Sequence, residues 1–342
     1  MTSPVSNETE LDDLLTQPRP VLVNFIRTVE SPLVILGAGG KMGPTLAVLA
    51  RRAAEEAGHK VRIIAASRFS DDRAKKWLQQ RGVETCEADL LQRESFKKLP
   101  DSPNVIYLVG LKFGTARNPA LTWAVNTLAP IYTVEKYKNA RIVALSTGNV
   151  YPLVPAKSGG AAEGRPLSPL GEYANAAVAR ERLFEYCSGE HDTRVALIRL
   201  NYAVELRYGV LVDIARQVWA GEPIDLSNGY FNCIWQADAN EMILRALELA
   251  SSPPSAWNLT APGVASVRDV AEQFAKIFAT KAQFLNQETD TALLSNPEKI
   301  CQQLGSPPTS LETMIGWIAC WVRCGGKYLE KPTHFEVRDG AY

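Results

Sequence analysis

A glycine-rich loop near the start of the chain carries the clearest chemical signal in the sequence. Gly37, Gly40 and Gly43 follow the spacing G-x-x-G-x-x-G. Between a strand and a helix, the first glycine permits a tight turn, the second lets a pyrophosphate approach the backbone, and the third lets helix and strand pack closely. The helix that follows offers free N–H groups and a positive dipole end. The loop, which includes Lys41 and Met42, therefore predicts dinucleotide binding; the alternative is a purely structural glycine turn.

The end of the second predicted strand, Ser67-Arg68, bears on which dinucleotide is bound. A site selective for NAD usually places Asp or Glu there, to accept a hydrogen bond from the ribose 2′-hydroxyl, whereas an arginine suits a 2′-phosphate. Asp71 and Asp72 come too late in the chain to replace that acid. Arg68 therefore favours NADP over NAD; the alternatives are a solvated loop charge or a side chain that stacks on adenine.

Apolar strands and helices alternate around this loop. Buried strands are predicted from apolar runs at 33–36, 61–66, 105–109, 141–145 and 194–200, with a weaker strand at 83–88. Helices are predicted at 45–57, 71–81, 121–137 and 173–186. This alternation is typical of a parallel sheet covered on both faces. The predicted fold class is α/β, a Rossmann-type doubly wound parallel sheet with a smaller C-terminal α/β substrate lobe.

The chain divides into four predicted parts. They are an N-terminal helical extension at 1–30, a dinucleotide-binding Rossmann domain at 31–200, a smaller substrate-binding lobe at 201–325, and a C-terminal tail at 326–342.

Composition excludes several classes of protein. Lys and Arg number 37 against 37 Asp and Glu, so the chain lacks the basic excess of a nucleic-acid or anionic-membrane binder. No apolar run approaches the roughly 18 residues that span a bilayer, and the N-terminus is too polar for a signal peptide. The six cysteines and three histidines are too scattered to predict a metal site. A reduced, cytoplasmic protein is expected.

Together with the segment 145–151, these features resemble the extended short-chain dehydrogenases/reductases, the NAD(P)-dependent sugar epimerase/dehydratase family. The resemblance covers about residues 33–320. It implies that Asp89-Leu90, after the third strand, contacts adenine, and that Val109-Gly110, at the end of the fourth strand, passes the nicotinamide ribose. It also implies that Asn126, in a Val-Asn pair, belongs to the cofactor site.

The family's catalytic residues are a Ser or Thr and a Tyr-x-x-x-Lys motif, which map to Thr147 and to Tyr173. The position of the lysine holds Ala177. In the family that ammonium fixes the nicotinamide ribose and favours the phenolate. Without it Tyr173 is expected to act as a phenol, which can donate a proton to a carbonyl but is a poor base. Arg180, on the same helix face, and Lys157 are the possible substitutes, although Arg180 is expected at the surface or an interface.

Two further departures concern the substrate. Gly148 and Asn149 stand where the dehydratases of the family carry an Asp-Glu pair, so dehydration by that mechanism is not expected. Phe231 occupies the position of an arginine that clamps the diphosphate of nucleotide sugars, although Arg207 could act from another loop. These departures favour a sugar, sugar acid or lactone over a nucleotide sugar.

Two functional classes follow from the resemblance. The first is an NAD(P)-dependent oxidoreductase or epimerase that acts on a small carbohydrate, with Thr147 orienting the substrate oxygen and Tyr173 handling the proton. The alternative is a catalytically impaired NAD(P)-binding sensor or scaffold. The family's dimer interface uses two helices that correspond to 121–137 and 173–186, so a homodimer is expected.

Overall fold

The structure is a computed structural model that describes residues 5–111, 118–329, 333, 335–338 and 340. Of the predicted N-terminal extension, residues 1–4 lie outside the described residues. Of the predicted tail, residues 330–332, 334, 339, 341 and 342 lie outside them.

A seven-stranded parallel sheet forms the centre of the fold, and short strands form two-stranded ladders around it. The strands are β1 (Leu33–Leu36), β2 (Ile63–Ser67), β3 (Glu84–Glu87), β4 (Asn104–Tyr107), β5 (Arg141–Thr147), β6 (Val154–Pro155), β7 (Arg194–Leu200), β8 (Ala203–Val204), β9 (Pro223–Asp225), β10 (Tyr230–Phe231), β11 (Ile234–Trp235), β12 (Ser255–Leu259), β13 (Ala265–Ser266), β14 (Gln283–Leu285) and β15 (Thr291–Ala292). The order of the central sheet is β12-β7-β5-β4-β1-β2-β3, with every neighbouring pair parallel.

Helices cover both faces of this sheet and build the smaller lobe. They are α1 (Glu8–Thr16), α2 (Pro20–Ile26), α3 (Gly43–Glu56), α4 (Asp72–Gln80), α5 (Pro119–Tyr137), α6 (Gly171–His191), α7 (Val210–Ala220), α8 (Gln236–Arg245), α9 (Val267–Phe278), α10 (Glu298–Leu304) and α11 (Leu311–Arg323).

The side chains of β1 show why the sheet is doubly wound. Leu33 and Ile35 pack in one buried cluster with α2, α3, α8 and α10. Val34 and Leu36 pack in a second cluster with α5 and α6 on the opposite face. Successive strand residues point to opposite faces, so a strand that is apolar at every position must be covered on both sides. The predicted Rossmann-type fold class is confirmed.

The central sheet takes one strand from beyond residue 200. β12 pairs with β7 in parallel, and its Trp257 and Leu259 pack in the same cluster as α3. The second core, built on α7, α9 and α11, also receives Leu11 and Leu15 of α1. The Rossmann core and the smaller lobe therefore interlock, because segments remote in sequence complete both.

Candidate active site

Two adjoining cavities lie at the carboxyl ends of the central strands, where ligands bind in open α/β sheets. The first, of about 280 Å³, is lined by Ser67, Arg68, Asp89 and Leu90, and we call it the loop cavity. The second, of about 530 Å³, is lined by Thr147, Tyr173, Tyr202 and Tyr208, and we call it the tyrosine cavity. The residues common to both linings are Gly37, Gly40, Arg68, Leu108, Gly110 and Leu111.

The three glycines of the loop are needed for different reasons. Gly37 has φ +79°, and a Cβ there would lie 3.0 Å from the Leu108 carbonyl carbon. A Cβ at Gly43 would lie 2.5 Å from the Ala38 carbonyl oxygen, so this glycine permits the start of α3 to pack against the loop. At Gly40 the nearest atom is 3.4 Å away, and the space beside it belongs to both cavities. The loop thus leaves room at its second glycine, which fits a pyrophosphate.

The loop cavity brings together Ser67, Arg68, Asp89, Leu90 and Val109, as the sequence predicted. The Asp89 carboxylate accepts a hydrogen bond from the Leu91 N–H at 3.1 Å, which holds the turn after β3.

Asp71 also lines this cavity, although the sequence placed it too late for a ribose contact. Its carboxylate caps α4 at the Arg73 N–H and pairs with the Arg73 guanidinium at 2.7 Å. Hydrogen bonding from the Arg73 side chain lowers the pKa of Asp71. Arg68, by contrast, makes no ion pair with the described residues.

Thr147 and Tyr173 line the tyrosine cavity together. Thr147 is the last residue of β5, and Tyr173 lies in the first turn of α6. The Thr147 hydroxyl lies 2.9 Å from Asn149 Oδ1 and accepts from the Asn149 N–H. The end of a strand and the start of a helix therefore present a hydroxyl and a phenol to one space.

Lys41 extends from the glycine loop to the smaller lobe. Its ammonium donates to the Ala203 carbonyl at 2.8 Å and lies 3.7 Å over the Tyr208 ring. Lys41, Met42 and Gly43 line the tyrosine cavity. The loop that we assign to phosphate binding is thereby tied to the segment that forms the opposite wall.

A buried hydrogen-bond network holds Ser146, the residue that precedes Thr147. The Glu181 carboxylate pairs with the Arg199 guanidinium at 2.7 Å and accepts from the Ser146 hydroxyl. Arg199 also donates to the Tyr151 hydroxyl at 2.8 Å, which donates to Asn258. Burial raises the pKa of Tyr151, so this hydroxyl remains protonated and serves as a donor.

Two predicted positions differ from expectation. Asn126 lines neither cavity: it is fully buried, its amide donates to the Thr122 carbonyl at 2.8 Å, and its oxygen accepts from Arg180 at 3.0 Å. The expected surface position of Arg180 is wrong, because this residue is only 4% exposed and lines the tyrosine cavity. Lys157 is exposed and lines neither cavity.

Several wall residues carried no clear signal in the sequence. Tyr202 follows β7 and adopts φ +41°, which turns the chain into the cavity wall. Leu329 and Thr333 come from the predicted C-terminal tail. That tail is unlike the family, so no motif pointed to its place in the site.

The described residues contain no group of three or more His, Cys, Asp or Glu that could hold a metal ion. Within the same part of the chain, no helix has both the length and the apolar character needed to cross a membrane.

A doubly wound parallel sheet with a glycine-rich loop at its strand ends defines the class of Rossmann-type nucleotide-binding proteins. Residues 33–228, more than half of the chain, match the NAD dependent epimerase/dehydratase family. The chain belongs to that family, and the resemblance to the extended short-chain dehydrogenases/reductases is confirmed. No curated protein matches the sequence.

Solved structures show the same fold. A UDP-glucose 4-epimerase from Thermotoga maritima, solved with UDP-glucose, has a TM-score of 0.70 at 17% identity, over 85% of this chain and 98% of its own. An epimerase from Methanothermobacter thermautotrophicus has a TM-score of 0.71 at 17% identity, over 89% and 96%. A dTDP-glucose 4,6-dehydratase from Bacillus anthracis, in complex with NAD, has a TM-score of 0.69 at 14% identity, over 86% and 97%.

Proposed function

We propose that this protein is an NAD(P)-dependent oxidoreductase or epimerase that acts on a small carbohydrate such as a sugar, sugar acid or lactone. One observation carries the proposal. Thr147 and Tyr173 line the tyrosine cavity, which shares Gly37, Gly40 and Gly110 with the loop cavity. A substrate beside the hydroxyl and the phenol therefore adjoins the space left beside the glycine loop.

Each residue has a chemical role in this proposal. The dinucleotide, bound along the glycine loop with Asp89 and Leu90 at its adenine end, would accept or return hydride. Thr147 orients the reacting oxygen of the substrate, because its hydroxyl is held at the cavity by Asn149. Tyr173 donates or accepts the proton of that oxygen, the role of a general acid–base group.

The two residues considered for binding a diphosphate, Phe231 and Arg207, are both engaged elsewhere, which supports a substrate without a nucleotide. Phe231, at the position of the family's diphosphate clamp, is 1% exposed and packs in the core of the smaller lobe. Arg207, the proposed substitute, is engaged by Glu205 at 3.2 Å and by Asp12 at 3.7 Å. Glu8 also pairs with it at 3.8 Å, and a side chain held by three carboxylates is not poised to bind a diphosphate.

The C-terminal segment further limits the room for substrate. Thr333 lines the tyrosine cavity, and its N–H and hydroxyl donate to Asp213 Oδ2 at 2.9 and 2.6 Å. Asp213 lines a separate cavity of about 370 Å³ with Phe335 and Glu336. The Thr333–Asp213 contact thus lies between the two spaces, which supports a substrate confined to the tyrosine cavity.

A substrate screen tests the proposal. Sugars, sugar acids and lactones, with UDP-glucose as the nucleotide-sugar comparison, are incubated with the protein and each dinucleotide. Absorbance at 340 nm follows net redox chemistry, and chromatography of the sugar products follows epimerisation. Turnover of a free sugar but not of UDP-glucose is expected. Tight dinucleotide binding without any turnover would instead favour the sensor, for which Ala177 in place of lysine is the argument.

Arg68 supports a preference for NADP. It lines both cavities at the end of β2 and has no ion-pair partner among the described residues. Arg68→Ala should narrow the preference for NADPH over NADH by about tenfold or more, since a charge-assisted phosphate contact is worth about 1.5–3 kcal/mol. Dissociation constants from NAD(P)H fluorescence measure this, with Arg73→Ala, an exposed arginine that lines neither cavity, as the control. Equal constants for NADPH and NADH in the unmutated protein would contradict the preference.

The outer surfaces of α5 and α6 support a homodimer. The two helices pack side by side, and large apolar side chains remain exposed on both, including Leu128 on α5 and Tyr186 on α6. Light scattering should give twice the chain mass, and Leu128→Asp should lower it toward one chain. Leu285→Asp, at an exposed position on β14, is the matched control. A single-chain mass for the unmutated protein at micromolar concentration would rule the dimer out.

A further inference from the structure

Arg180 is a buried cation that forms no ion pair with an acidic side chain of the described residues. Its guanidinium donates through Nη1 to the Val109 carbonyl at 2.9 Å and to Asn126 Oδ1 at 3.0 Å. Its Nε is buried and has no hydrogen-bond partner in the part of the chain that the structure describes. Among the described residues, no Asp or Glu oxygen lies within 4.0 Å of it, and the neighbouring Glu181 is paired with Arg199. Burying such a charge is costly, so its retention at the wall of a cavity points to a ligand.

The Arg180 guanidinium lies beside the residues that follow β4. A Cβ at Gly110 would lie 2.8 Å from Arg180 Nη1, so a larger residue there would require the guanidinium to shift. The resemblance assigned Val109 and Gly110 to the nicotinamide ribose and Asn126 to the cofactor site, and all three lie against Arg180. Asn126 therefore acts on the site through Arg180 rather than by lining a cavity.

The same helix face explains the departure at residue 177. Tyr173, Ala177 and Arg180 lie on one side of α6, at spacings of one and nearly two turns. Ala177 is fully buried against an apolar cluster with Val150 and Leu294. Arg180, one turn further along, lines the tyrosine cavity with Tyr173 and Thr147.

We propose that Arg180 supplies, from the next turn of α6, the fixed positive charge that the family places at the position of Ala177. This inference rests on the proposed function, because it assigns Arg180 to the nicotinamide end of a bound dinucleotide. The guanidinium offers donors to ribose hydroxyls and repels the positive ring of the oxidised cofactor. It thereby favours the reduced form, in which that ring is neutral.

The ratio of dissociation constants for oxidised and reduced cofactor tests the charge without any turnover. Arg180→Met should lower the preference for the reduced form by at least tenfold, because two unit charges a few ångströms apart at a protein's effective dielectric interact more strongly than a tenfold ratio requires. Arg180→Lys should retain most of the preference. Arg182→Met, on the same helix in an exposed pair with Glu185, should leave it unchanged. If Arg180 were merely structural, its replacement would weaken binding of the oxidised and the reduced cofactor equally.

The outcomes separate the two proposals. An unchanged ratio in Arg180→Met, with dinucleotide still bound, overturns the role of Arg180 and leaves the proposed function standing. Failure of the unmutated protein to bind any nicotinamide dinucleotide overturns both. If Arg180→Met does not fold, Arg180→Gln, which keeps a donor for the Val109 carbonyl but carries no charge, is measured instead with the same expected shift.

Discussion

Replacing Tyr173 with phenylalanine is expected to lower turnover by about 10²- to 10⁴-fold, the usual contribution of a positioned acid–base group. The substitution removes only the hydroxyl, so the ring still fills its place in the wall of the tyrosine cavity. Dinucleotide dissociation constants should change by no more than about twofold, because the glycine loop and the loop cavity are untouched. Steady-state rates on the substrate found by screening, with fluorescence titration of NAD(P)H, measure both quantities.

Tyr186→Phe is the matched control for this experiment. Tyr186 lies on the same helix, is 65% exposed, and lines neither cavity. Its turnover should equal that of the unmutated protein. Full turnover in Tyr173→Phe would show that another group carries the proton, and Tyr208, which lines the same cavity, would be tested next.

Glu181→Ala is expected to reduce the free energy of unfolding by about 3–5 kcal/mol, because it leaves the Arg199 guanidinium buried without its partner. Glu181 is fully buried, and it also accepts a hydrogen bond from the hydroxyl of Ser146, the residue before Thr147. The loss should therefore disturb Thr147 as well as the fold. Chemical unfolding followed by tryptophan fluorescence measures the stability.

Glu185→Ala is the control that removes a carboxylate from an exposed ion pair instead of a buried one. Glu185 lies one turn along α6 and pairs with Arg182 at 2.6 Å, but both side chains are substantially exposed. An exposed pair contributes about 0–1 kcal/mol, so this variant should unfold close to the unmutated protein. In Glu181→Ala/Arg199→Met the buried charge is absent, and much of the lost stability should return. Equal free energies of unfolding for Glu181→Ala and Glu185→Ala would contradict the importance of the buried Glu181–Arg199 pair for stability.

Local patterns in the sequence were sufficient for six of the seven strands of the central sheet and for the glycine loop. Apolar runs such as 33–36 predict strands buried on both faces, since the side chains of such a strand point alternately to two sides. The spacing of Gly37, Gly40 and Gly43 predicts the loop, because each position has a steric requirement that depends on near neighbours. The resemblance then brought Thr147 and Tyr173 to one cavity, where the structure also places them.

Strand β12 and the part of the tyrosine-cavity wall that comes from the C-terminal segment could not be predicted from local patterns. β12 joins the sheet from beyond residue 200, because Trp257 and Leu259 complete a core that begins with α2 and α3. Thr333 reaches the tyrosine cavity through its hydrogen bonds to Asp213 on α7. Such pairings depend on which surfaces meet after folding, and no local spacing encodes them.

The sequence by itself determined that this is a Rossmann-type member of its family with alanine where the family has lysine. It could not determine whether a positive charge remains near Tyr173. Helical spacing placed Arg180 on the same side of α6 as Tyr173, yet this spacing is equally compatible with a long side chain that extends to solvent. Only the tertiary structure decided the matter, because the Val109 carbonyl, Asn126 and the space beside Gly110 together hold the guanidinium inside.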